Sequence, residues 1–71
     1  MTFGERLKEA LTDAGISQSD LARRVGVHPS AVSTWVLDKH RPNVYLFVRM
    51  CKSLKVDPGE FLEGLDWEEV G

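Results

Sequence analysis

Glycine and proline interrupt this sequence so often that only short elements fit between them. Gly15, Gly26, Pro29, Pro42 and Pro58 divide the chain into segments. Glycine ends helices because it takes the left-handed conformation without a Cβ penalty. Proline starts them because its missing N–H would have no partner in the first turn. Between these marks the apolar residues recur three and four apart, and no segment alternates with period two for long enough to build a sheet. The expected fold is all-α, a compact five-helix domain.

The first helix is expected over about residues 3–14, with Phe3, Leu7, Ala10, Leu11 and Ala14 on one face and Gly15 as its stop. The second covers about 17–25, capped by Ser17, with Asp20 near its positive end and Leu21, Ala22 and Val25 inward. The third covers about 29–37, with His28 at the cap position, Pro29 in the first turn and Ala31, Val32, Trp35 and Val36 as its apolar side. Asn43 caps a fourth over about 43–54, whose inward candidates are Val44, Phe47, Val48, Met50, Cys51 and Leu54. Asp57 and Pro58 open a short fifth over about 58–63, where Phe61 and Leu62 close the core. Residues 1–64 then form the domain and 65–71 an acidic tail, with Leu65 and Trp67 as residues able to dock back.

At 71 residues the chain is one small domain with a narrow stability margin, so a partner that covers apolar surface is expected. The net charge of −2 argues against a nucleic-acid partner until its distribution is read. Residues 1–56 hold all nine Lys and Arg against five acids, and 57–71 hold six acids and no base. Such a basic body can bind DNA with its acidic end turned away. Cys51 stands alone, which rules out an intramolecular disulfide and suits a reducing cytoplasm. No apolar run is long enough to span a membrane, and residues 1–5 lack a signal layout. His28, His40 and Cys51 have no metal-ligand spacing, no nucleophile stands beside a base, and so small a chain has no room for a deep substrate pocket. An enzyme, a cofactor and a small-molecule substrate are not expected.

The informative stretch runs from Gln18 to Leu37, two short helices joined by a glycine turn. Ala22 must be small where the second helix crosses, and Gly26 must give the turn its freedom. Leu21, Val25, Val27, Val32 and Trp35 are apolar, as pinning the pair together requires, while Ser19, Asp20, Arg23, Arg24, Ser30, Ser33 and Thr34 lie outward.

With Arg6-Leu7-Lys8, Gly15 to Ala22, Gly26-Val27, Val32-Ser33, Arg41-Pro42 and Leu54-Lys55-Val56, the sequence resembles the helix-turn-helix family of phage repressor and Cro proteins and xenobiotic-response-element type regulators. The resemblance covers about residues 3–63. It implies a sequence-specific transcriptional regulator of double-stranded DNA, with the third helix in the major groove. His28, Pro29, Ser30, Ser33 and Thr34 would face base edges. Gln18, Lys39, His40, Arg41 and the backbone N–H groups around Asn43 would hold phosphates. The resemblance further implies a homodimer acting as a repressor in the cytoplasm of a bacterium, with Tyr45, Leu46, Phe61, Leu65 and Trp67 as candidate dimer contacts. Two other roles remain open at this point. One is an antitoxin or restriction-modification controller of the same fold. The other is a protein-interaction module that does not bind DNA.

The departures from the family carry information. Where such proteins often place Gln, Asn or Arg, this chain has Pro29, Ser30 and Thr34, so direct base readout is thin and DNA shape or bridging water gains weight. A basic residue and a glutamate that often pair across the domain are replaced together by Leu11 and Val36, an exchange that need not cost stability. Asp38 and Lys55 stand where glycine is common, and Lys55 there costs roughly 1 kcal/mol.

Overall fold

The computed structural model describes residues 1–66. Its helices are α1 (Phe3–Ala14), α2 (Gln18–Val25), α3 (Pro29–Val36), α4 (Val44–Leu54) and α5 (Pro58–Leu62), with no strand among the described residues. Each helix starts on a side-chain cap. Ser17, His28, Asn43 and Asp57 cap as their positions suggest, and Thr2 caps α1 in a reciprocal box with Glu5. A cap satisfies a donor that helix geometry leaves without a partner. α3 and α5 each stop one residue earlier than expected, at Val36 and Leu62, because Leu37 and Glu63 leave helical geometry.

One core gathers all five helices. α3 packs on α2 and α1, α4 packs on α2, and α5 closes against α4. Leu7, Leu21, Ala22, Val32, Met50 and Cys51 are fully buried. Phe3, Phe47 and Phe61 tie α1, α4 and α5 together, with ring centroids 5.2 to 6.0 Å apart in tilted and edge arrangements that aromatic quadrupoles favour. Leu11 and Val36 are both buried in this core, and no polar or charged side chain is buried among the described residues. The apolar pair thus occupies its ground without a charge to desolvate.

Several expectations are corrected. Ala14 is exposed, because the last turn of α1 borders an open groove beside Lys55 and Val56. Val44 is 80% exposed rather than inward, since the first turn of α4 projects past its partners. Phe61 is 1% exposed and Leu65 7% exposed, so neither offers a dimer contact on the surface of this chain. Leu65 belongs to the folded body, not to a tail. Gly64 turns the chain at φ 75°, Asp66 N donates to Met1 O (3.0 Å), and the Met1 amine pairs with Asp66 Oδ2 (2.8 Å). Trp67 lies outside the described residues.

Two contacts fix α1 against its neighbours. Gly4 lies where the first turn of α1 meets the end of α3, and a Cβ there would overlap the Val36 carbonyl. Arg6 reaches from α1 to the end of α5. Its guanidinium donates to Phe61 O (2.7 Å), Glu60 O (3.3 Å) and Glu63 O (2.8 Å), so that it caps the carbonyl end of α5 alongside the Glu63 N–H, which also reaches Glu60 O.

Candidate nucleic-acid interface

α2 and α3 meet across a tight turn. Gly26 sits at φ 88°, and the N–H groups of Gly26 and Val27 both donate to Ala22 O, at 2.8 and 2.9 Å. Buried Leu21, Ala22, Val25, Val32 and Trp35 pin the two helices, which leaves their hydrophilic sides to solvent. Gln18 is exposed at the first position of α2, directly after its Ser17 cap. The leading N–H groups of such a helix have no intrahelical partner and favour an anion. Asp20 completes the cap. Hydrogen bonds from Ser17, then from Arg23, hold its carboxyl below the ordinary 3.8. Arg23 is thereby engaged at 2.6 Å.

The start of α3 carries the expected base-facing group. His28, Pro29 and Ser30 are exposed, while Ser33 and Thr34 are half-buried. Three of these five already have local work. His28 Nδ1 accepts from Ser30 N (3.1 Å) and lies 2.8 Å from Ser30 Oγ. An Nδ1 acceptor places the proton of a neutral imidazole on Nε2, which makes that nitrogen a donor. The Thr34 hydroxyl donates to Ala31 O at 2.7 Å, so toward any ligand it offers its oxygen as acceptor and its methyl group. Ser33 has no side-chain hydrogen bond among the described residues. The outward chemistry of α3 is small, neutral and only partly free for hydrogen bonding, consistent with thin direct readout.

The basic run Lys39-His40-Arg41 is exposed and rooted on α3. Lys39 N (2.9 Å) and His40 N (3.3 Å) both donate to Thr34 O. The structure therefore joins this run to Thr34, one of the residues expected to face bases. Asn43 is exposed and caps α4 by accepting from Leu46 N (2.8 Å), beside the free leading N–H groups of that helix.

The structure adds features that periodicity does not reveal. Asp38 folds back onto α1, where Oδ1 accepts from Gly4 N (2.8 Å) and Oδ2 from the Thr2 hydroxyl (2.7 Å). On α4, the Arg49 guanidinium lies 5.7 Å from the Tyr45 ring centroid and donates to its hydroxyl at 3.2 Å. Their spacing of four residues is the one signal that foretells that pair. Of the candidate dimer contacts, Tyr45 is 66% exposed and Leu46 half-buried against the core. Cys51 is buried, and desolvation pushes its thiol up to about 11, which disfavours the thiolate. Among the described residues no three metal-ligating side chains cluster, and no helix is long and apolar enough to cross a membrane.

Residues 7–61 match the family described as Helix-turn-helix. The fold is similar to the solution structure of the DNA-binding domain of the P22 c2 repressor, with a TM-score of 0.85 and 29% identity over 94% of this chain and 90% of that one. It is similar to the P22 c2 repressor in complex with a synthetic operator, with a TM-score of 0.82 and 30% identity over 90% of this chain and 97% of that one. It is also similar to the restriction-modification controller protein C.AhdI from Aeromonas hydrophila, with a TM-score of 0.79 and 28% identity over 84% of this chain and 91% of that one. No curated protein is significantly similar in sequence.

Proposed function

The chain belongs to the helix-turn-helix family, and from that premise we propose that it is a transcriptional regulator that binds double-stranded DNA sequence-specifically. α3 enters the major groove with His28, Pro29, Ser30, Ser33 and Thr34 toward the bases. Gln18, Lys39, His40, Arg41 and the N–H groups beside Asn43 hold phosphates on either side. The strongest support is the buried α2–turn–α3 seam, which leaves the start of α3 accessible between an exposed Gln18 and an exposed basic run. The similarity to a repressor seen on its operator agrees with it. The protein acts in the cytoplasm as a repressor, and it is not an enzyme.

The same reading includes a homodimer. Two recognition helices on a two-fold axis reach half-sites about one DNA turn apart. With Phe61 and Leu65 committed to the core, the candidate contact left exposed among the described residues is Tyr45, 66% exposed beside the 80% exposed Val44 at the start of α4. Sedimentation that finds only monomer at high concentration, with and without DNA, would remove the dimer.

A second role within the fold, as a restriction-modification controller, is favoured by the similarity to C.AhdI. A restriction gene beside this one would favour that role over a phage-type repressor. DNA binding itself is tested by fluorescence anisotropy with the duplex upstream of its own gene and a mixed-sequence duplex, each across a salt series. Tight upstream binding, weaker mixed-sequence binding and steep loss with salt are expected. Absence of binding to both duplexes at low salt would overturn the DNA reading in favour of a protein-interaction module.

A further inference from the structure

We propose that Asp38 is a positioning residue for DNA binding, a two-point clamp that fixes the phosphate-holding run Lys39-His40-Arg41 relative to α3. The proposal rests on the DNA-binding function above. Three observations converge on this side chain. Asp38 holds φ 59°, the left-handed turn that ends α3. Its two carboxylate oxygens are both occupied on α1, by Gly4 N at 2.8 Å and by the Thr2 hydroxyl at 2.7 Å. The residues that follow it are the exposed basic run, whose hydrogen bonds to the rest of the fold, among the described residues, are those of Lys39 N and His40 N to Thr34 O.

The chemistry fits a clamp. Gly4 N and Glu5 N are among the leading donors of α1 that have no helical partner. Asp38 takes the first directly. It supports the second through Thr2, whose hydroxyl donates to Asp38 while accepting from Glu5 N at 3.2 Å. A carboxylate at this positive helix end is stabilised by the dipole as well as by the hydrogen bonds. Gly4 makes the approach feasible, because a Cβ there would lie 2.7 Å from Asp38 Oδ2 as well as overlapping the Val36 carbonyl. Glycine at position 38 would make the turn as easily or more easily, but would leave α1 and the basic run unconnected. Asp38 therefore does something that the turn alone does not require.

That difference sets the experiment. Asp38→Gly keeps the turn and removes the clamp. Asp38→Asn keeps an oxygen for Gly4 N and an amide for the Thr2 hydroxyl, and it removes the charge. Anisotropy is read on the upstream duplex across a salt series, beside Gly4 amide exchange and thermal unfolding. Asp38→Gly should bind at least about tenfold more weakly and with a salt slope lower by about one to two phosphate contacts. Its Gly4 amide should exchange faster. Asp38→Asn should bind at least as tightly as wild type, since the clamp survives and a negative charge near DNA is gone. Thr2→Val, which removes one arm, should fall between wild type and Asp38→Gly and serves if the glycine variant does not fold.

Wild-type affinity and slope in both Asp38→Gly and Thr2→Val would overturn the clamp while leaving the DNA reading intact. So would a loss in Asp38→Asn as deep as in Asp38→Gly, because charge and not geometry would then be responsible. Absence of DNA binding by the wild-type chain is the separate outcome that removes the underlying function, and the clamp's role with it.

Discussion

Asp38 and Lys55 share a backbone conformation that L-residues avoid, with φ of 59° and 57°. Asp38 offsets the strain with two hydrogen bonds to α1. Lys55 gains no side-chain hydrogen bond or ion pair among the described residues, and its N–H ends α4 on the carbonyls of Cys51 and Lys52 as a glycine's would. Lys55→Gly should therefore stabilise the domain by up to about 1 kcal/mol. That gain would raise the melting temperature by roughly 4–8 °C for each kcal/mol in a domain of this size. Thermal unfolding followed by circular dichroism checks it, and an unchanged or lower midpoint would mean that Lys55 contributes something its contacts do not show. The left-handed conformation at both sites is legible through the resemblance, because each residue stands where the family often has glycine. The Asp38 clamp is not legible. Nothing in the residues near position 38 says that the start of α1 lies against them.

At the scale of the helices, capping is where sequence and structure agree most closely. Ser17, His28, Asn43 and Asp57 are short or polar residues that stand just before an apolar-periodic run, and each caps as that position implies. The α2 cap also carries a pH dependence whose sign follows from Asp20. Its folded-state pKa is lowered, chiefly by the hydrogen bonds from Ser17. A lowered carboxyl contributes stability in full above its unfolded value and loses it as pH falls through the folded one. Asp20→Ala should thus be less stable than wild type at neutral pH, and the difference should shrink to nothing below the ordinary carboxylate range. Urea unfolding of both proteins along a pH series reads this directly, and a difference that persists in strong acid would show that the charge is not its source. Ser17→Ala removes the partner on the other side of the box and should cost about 1 kcal/mol. Helix faces are less legible than helix starts. Ala14 and Val44 fit the apolar periodicity but sit in terminal turns that project past the packing partners, and periodicity does not know where a neighbouring helix ends.

For the molecule as a whole, the core and the candidate interface draw on separate residues. The three-phenylalanine cluster holds α1, α4 and α5 together, and none of the residues assigned to DNA is fully buried. The fold was legible because both its helix starts and its α2–α3 seam depend on local spacing. The candidate interface was legible only through resemblance, since a polar face of Ser, Thr and His looks like any solvated helix. Phe61 was misassigned in part for a related reason: a large apolar residue near a chain end suits a core and an interface equally, and only its exposure of 1% decides. This separation makes loss of fold and loss of site distinguishable. Phe61→Ala should cost about 3–5 kcal/mol, a large part of the roughly 4–10 kcal/mol that a chain of this length is expected to have. DNA binding should then fall together with helical circular dichroism. Gln18→Ala with Arg41→Ala removes two exposed side chains. Binding to both the upstream and the mixed-sequence duplex should weaken, the salt slope should drop by roughly one phosphate contact because only Arg41 carries a charge, and the circular dichroism should not change. Should the double variant keep its affinity and slope while Phe61→Ala loses both, the fold would still be required for binding. The phosphates would then be held by cations other than Arg41, with Lys39 and then Arg24, Arg49 and Lys52 next to be replaced.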